Sequence, residues 1–185
     1  MELLGERLIP ASIEATWSAL NDPEALKACI AGCESLDRAG ADGFIAVVAV
    51  RVGPVSARFK GNLQMTNVQA PTSYTINFDG QGGVAGFGKG SADVTLTPEQ
   101  AQTRLKYAAR AQVGGKMAQV GSRLIDAAAG KIAEDFFKAF EAHLLAAGGG
   151  VVPGAPEPVA AGGNRTLWWV VGAAVALLLV YLLVR

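Results

Sequence analysis

Residues able to do chemistry are few in this chain. His143 is the sole histidine among 185 residues, and it falls near the end of a helical pattern, where a cation complements the helix dipole. A surface role there outweighs acid–base catalysis. Cys29 and Cys33 are the only thiols. A Cys-x-x-x-Cys pair could bridge or hold a metal, but no further Cys or His stands nearby, so two buried reduced thiols are expected. Asp79 and Asp93 fall on strand positions assigned to solvent, so no paired carboxylates converge for general acid–base work. The glycine-rich run at 80–90 looks like a nucleotide loop at first sight. Its spacing fits neither the dinucleotide fingerprint nor the P-loop, and a strand follows it rather than a helix. A flexible β-hairpin near a pocket mouth is the expectation. Formal net charge is zero, without a basic stripe, which argues against nucleic-acid binding. No catalytic set and no metal site emerge, so function must be sought in apolar surface.

The element that positions that surface is a long amphipathic helix, predicted over about 116–145. Glycines bracket it at Gly114-Gly115 and Gly148-Gly149-Gly150. Met117, Val120, Leu124, Ala128, Ile132, Phe136 and Phe140 recur at spacings of three and four, the period of one helix face. Glu134 and Lys138 stand at the favourable i, i+4 spacing on the polar side. Such a helix is roughly 45 Å long, enough to lie across a small sheet.

The preceding residues read as that sheet. A short strand over 3–10 leads to a compact helix with Ser12 as N-cap and Ile13, Trp17 and Leu20 on one face. Asp22 caps and Pro23 opens a second short helix reaching about Cys29. Five alternating segments follow. Phe44, Ala46, Val48 and Val50 share one face of the first, and Gly53-Pro54 makes the turn. Val55, Ala57, Phe59, Leu63 and Met65 alternate with polar residues in the next, then Tyr74, Ile76 and Phe78. Ala92, Val94 and Leu96 follow, and Leu105, Tyr107, Ala109 and Ala111 complete the meander. A meander apolar on one face needs a cover, and only the long helix can supply it. The expected class is α+β: a helix-grip fold, a curved antiparallel sheet around a long C-terminal helix.

Two features bear on whether that interface is filled. Gly121 and Gly130 fall within the predicted helix, where each glycine costs about 1 kcal/mol relative to alanine, and Ala118, Ala127, Ala128 and Ala129 keep it small. Facing strands offer Phe59, Met65, Tyr74, Phe78 and Tyr107. Small residues opposite rings can leave a pocket for a flat or elongated apolar ligand; equally, they can let the helix approach the sheet closely. The candidate lining, read from strand and helix phase, adds Trp17, Met117, Val120, Gly121 and Leu124 to those strand residues.

Beyond the domain at 1–147, composition shifts to Gly, Ala, Val and Pro over 148–165, a linker spanning on the order of 20–25 Å. The remaining 166–185 reads as a transmembrane anchor. It is uncharged from 167 to 184 between Arg165 and Arg185, and Leu167, Trp168, Trp169 and Tyr181 sit at its two ends as interfacial residues do. The excess of an apolar fraction of 51% is concentrated there. The N-terminus carries Glu2 and Glu6 and lacks an apolar core, unlike a signal peptide, so the domain is expected on the cytoplasmic face of the membrane.

The segments 19–23, 28–36 (Ala-Cys-Ile-Ala-Gly-Cys-Glu-Ser-Leu), 53–55 and 59–61 resemble the CoxG subunit of carbon monoxide dehydrogenase, a family of the START/Bet v1-like superfamily. So do 86–90 (Gly-Phe-Gly-Lys-Gly) and 113–125 (Val-Gly-Gly-Lys-Met-Ala-Gln-Val-Gly-Ser-Arg-Leu-Ile). The resemblance runs over about 1–145 and departs at Ala31, where that family usually carries proline before the glycine. It implies a non-catalytic accessory subunit that recruits a cytoplasmic molybdenum–flavin–iron–sulfur dehydrogenase to the bacterial inner (cell) membrane. It further implies an apolar cavity holding a respiratory quinone, menaquinone or ubiquinone, that accepts the electrons. A docking module with a packed core and a general carrier of lipids or small hydrophobes are the alternatives.

Overall fold

The computed structural model of the chain describes residues 1–148. Its strands are β1 (Glu2–Ile9), β2 (Cys33–Arg38), β3 (Gly43–Val52), β4 (Val55–Gln69), β5 (Ser73–Gln81), β6 (Phe87–Glu99) and β7 (Gln102–Gly114). They form one sheet in the order β1-β7-β6-β5-β4-β3-β2. Every neighbouring pair is antiparallel. From β2 to β7 each strand pairs with the next in sequence, as short turns dictate. The long-range pair is β1 with β7, in register from Glu2 opposite Arg110 to Ile9 opposite Thr103.

Helices α1 (Ile13–Leu20) and α2 (Pro23–Cys29) form where capping chemistry directs them. The Ser12 hydroxyl accepts from the Ala15 amide at 3.3 Å, and the Asp22 carboxylate accepts from the Glu24 amide at 3.0 Å. Pro23 occupies the first turn of α2, where its missing amide costs nothing. Strand β2 was not anticipated. It is a bulged edge strand in which Leu36 is the one fully buried side chain, so it carries almost no alternation to read.

The cover helix is α3 (Ser122–Ala146), about 37 Å long, and it corrects the sequence expectation at its start. A separate 3-10 turn spans Ala118–Val120, and Gly121 follows it at φ +94°. That backbone favours glycine and cannot continue a helix, so helix growth toward Lys116 stops there. Gly121 is therefore a break before the helix and not a small residue inside it. At the other end Gly148, at φ +73°, closes the helix as expected. The i, i+4 ion pair that forms on α3 is Lys131 with Asp135 at 2.7 Å; Glu134 and Lys138 make none among the described residues.

Core packing is lopsided. Phe137, Phe140 and Leu144, from the C-terminal half of α3, join Ile9, Leu20, Leu96 and Leu105 in one cluster. A second cluster lies toward β2 to β5: Leu36, Phe44, Ala46, Met65 and Tyr74. The first turns of α3 bury no side chain fully, and Leu124 and Ile132 stand 49% and 46% exposed. The helix thus grips the sheet at one end and stands off it at the other. Among the described residues no helix is long and apolar enough to cross a membrane. The anchor expected over 166–185, with Leu167, Trp168, Trp169 and Tyr181, lies outside the described residues, as does the linker after Gly148.

Candidate functional site

Where α3 stands off the sheet, two adjoining cavities open. The larger, about 490 Å³, is roofed by Ala129, Ile132, Ala133, Phe136 and Phe137 and floored by the inward faces of β4 to β7. Leu26 of α2, Ile30 just after it and Leu36 of β2 close its side. The smaller, about 170 Å³, lies between Val52, Phe59, Val113 and Met117 on one side and Ile125, Ala128 and Ile132 on the other. Met1, Ala129 and Ile132 border both, and Ala129 and Ile132 form the helix side of the neck between the two compartments.

The alternation of each strand sends one apolar set inward, and glycines on neighbouring strands make room for rings. A side chain at Gly5 would come within 2.3 Å of the Tyr107 ring, which lies over it. A side chain at Gly82 would come within 2.7 Å of Phe59. Tyr107 then stacks on Phe137, centroids 5.2 Å apart, and Phe136 stacks on Phe140 at 5.6 Å. These rings seat the C-terminal half of α3 on the sheet, while its first turns stand off. Alanines further up the helix are too short to refill the gap, and the cavity is the remainder.

The sequence-predicted lining is divided among several places. Met65, Tyr74 and Tyr107 border the larger cavity. Phe59 and Met117 border the smaller. Trp17 stands behind the wall, half-buried and edge-on to Tyr74 at 5.6 Å. Phe78 borders neither cavity and lies instead in an open groove with Asn77, Lys89 and Arg110. Val120, Gly121 and Leu124 border neither: Val120, half-buried, and Gly121, exposed, precede the helix, and Leu124 is exposed in its first turn. A side chain added at Gly121 or at Gly130 would meet open space, so neither glycine serves close helix–sheet approach.

Missed by the sequence reading are Ile125, Ala129, Ala133 and Phe137 of α3, with Leu26, Ile30 and Leu36 before the meander. The signal existed in part. Ile132 and Phe136 belong to the apolar face read from the sequence, and Ile125 and Ala129 stand beside it at helical spacing, so the cavity face overlaps that one and is turned slightly from it.

Tyr74 and Tyr107 bring the hydroxyls of the larger lining, which is otherwise apolar. Burial pushes the Tyr74 phenol well above its ordinary value, so it stays protonated. Other chemistry-bearing residues lie elsewhere. Cys29 is buried and Cys33 half-buried, both as free thiols, and burial raises both above the usual thiol range. The Cys33 thiol donates to the Ser35 carbonyl oxygen at 3.4 Å. His143 sits in the last turn of α3, where the dipole argument placed it. The 80–90 run is the hairpin between β5 and β6, with a 3-10 turn at Gly83–Ala85.

Known folds share this arrangement. A conserved protein from Geobacillus kaustophilus superposes with a TM-score of 0.75 at 30% identity, covering 80% of this chain and 97% of that one. A protein from Thermus thermophilus gives 0.62 at 19% identity, over 80% and 99% of the two chains. A START superfamily protein from Mycobacterium smegmatis gives 0.60 at 17% identity, over 79% and 98%. The last two show likeness of fold. No curated protein matches the chain by sequence. The family model for CoxG, the carbon monoxide dehydrogenase subunit of that name, matches residues 5–145, and with its curved sheet and gripping helix the chain belongs to that family.

Proposed function

We propose that this chain is a membrane-anchored accessory subunit. In this reading it brings a carbon monoxide dehydrogenase-type molybdenum–flavin–iron–sulfur enzyme to the membrane and holds the respiratory quinone that accepts its electrons. The observation that carries the reading is the apolar cavity between α3 and the sheet. At about 490 Å³ it falls within the roughly 300–1,000 Å³ typical of small-molecule sites, and a docking module with a packed core has no use for it. A ligand burying about 300 Å² of apolar surface there would gain up to about 7 kcal/mol of transfer free energy. That is ample to draw a poorly soluble ring and tail out of water. The family supplies the partner, and the uncharged stretch at 167–184 supplies the anchor.

The test is extraction of the full chain from its native membrane, followed by mass spectrometry of the bound lipid fraction. Stoichiometric menaquinone or ubiquinone in the parent, and its loss in Ala129→Phe, which closes the neck between the compartments, is the expected result. Unrelated lipids at equal occupancy would favour a general carrier instead. An empty parent that still carries a dehydrogenase to the membrane would leave only the docking role.

A further inference from the structure

One polar group stands alone in the larger cavity. Tyr74 is 7% exposed and borders the cavity. Its hydroxyl makes no hydrogen bond with the described residues, and burial is the single cause that displaces its titration. Tyr107, the other hydroxyl of the lining, sits two strands away in the same cross-strand row, through Val94. Its ring and hydroxyl lie over Gly5, on the far side from Tyr74. No Lys, Arg or His side chain borders the larger cavity among the described residues; the one cation at its border, the Met1 ammonium, donates to the Ala111 carbonyl oxygen at 3.0 Å. The smaller compartment is bordered by apolar side chains and Gly88 alone. Phe59 is in line with Gly82 by extension of the β4–β5 register, some eight residues from Tyr74. At the strand rise that separates the ends of the paired cavities by roughly 25 Å.

We infer that Tyr74 is the orienting subsite of the cavity: its hydroxyl donates to an uncharged carbonyl oxygen at the head of an elongated apolar ligand. The tail of that ligand passes the Ala129–Ile132 neck toward Phe59 and Met117. This rests on the quinone-carrier reading above and names the residue that reads the head group, favouring a neutral carbonyl over fatty acid carboxylates and hydrocarbons. The polar head enters first and lies beneath α1 and α2. The tail leaves at the end where Ile132, Leu124 and Phe87 are exposed.

Tyr74→Phe keeps the ring against Trp17 and removes only the donor. With the full chain in lipid nanodiscs, the probes are 2-decyl-1,4-naphthoquinone, 2-decylnaphthalene and palmitate. The substitution should weaken the naphthoquinone about five- to thirtyfold, the worth of one hydrogen bond at a dry site, and leave decylnaphthalene unchanged. Palmitate should bind the parent far more weakly than the naphthoquinone does. The carbonyl stretch of bound naphthoquinone should lie lower in the parent than in Tyr74→Phe, a shift that a merely structural role of the residue would not produce. Equal losses for both aromatic probes, or none for the naphthoquinone, would overturn the orienting role while leaving the carrier reading intact. A parent that binds no probe would overturn both.

Discussion

Thr103 and Thr16 are both fully buried, and their hydroxyls fare differently. Thr103 donates to the Ala11 carbonyl oxygen at 2.8 Å, tying β7 to the entrance of α1, whereas the Thr16 hydroxyl has no partner among the described residues. Valine keeps the shape of either side chain. Thr103→Val should therefore destabilise by about 1–3 kcal/mol, because it strands a buried carbonyl, while Thr16→Val should be neutral or stabilising by about 1 kcal/mol. Chemical denaturation of the two variants in parallel checks the contrast. Tyr74→Phe belongs with Thr16: without ligand its thermal midpoint should hold or rise, and a fall would reveal a structural bond. On the outer face Arg104 bridges Glu6 and Glu99, and its guanidinium holds both carboxyls below their ordinary value of 4.5. A lowered folded value stabilises above the unfolded value and is lost as pH falls through the folded one. Arg104→Gln should thus lower the melting midpoint at pH 7 more than at pH 3, with a modest effect because the cluster faces water.

The decisive element is α3, and its register decides the site. Gly121 at φ +94° stops the helix from starting earlier, so its cavity face is set from Ser122 onward. Gly130 lies within α3 with open space where a side chain would be. Gly130→Ala should stabilise by about 0.5–1 kcal/mol through helix propensity alone, read as a shift in denaturation midpoint at unchanged slope. Gly121→Ala, placed on a left-handed backbone, should destabilise by about 1 kcal/mol or more despite equally open space. The two alanines thus separate backbone conformation from packing.

At the scale of the molecule, strand alternation, the caps at Ser12 and Asp22, and the glycines around the long helix were local facts, and they determined the fold class. Each depends on a residue and its near neighbours along the chain, so it survives translation into sequence. The strand residues Met65, Tyr74 and Tyr107 were legible for the same reason, since a period of two leaves only two faces to choose between. A helix face is a continuous angle, so Leu124 was chosen where its neighbour Ile125 borders the cavity, and Val120 and Gly121 lie before the helix begins at Ser122. Strand β2 escaped because an edge strand with one buried side chain has no period to detect. The cavity itself was open to two readings in sequence, since alanines and glycines serve close packing and empty space alike. Tertiary structure decided between them. Rings at Tyr107, Phe137 and Phe140 seat the C-terminal half of α3 on the sheet while its first turns stand off, and whether a small side chain then meets a neighbour or a void depends on distances between residues far apart in the chain.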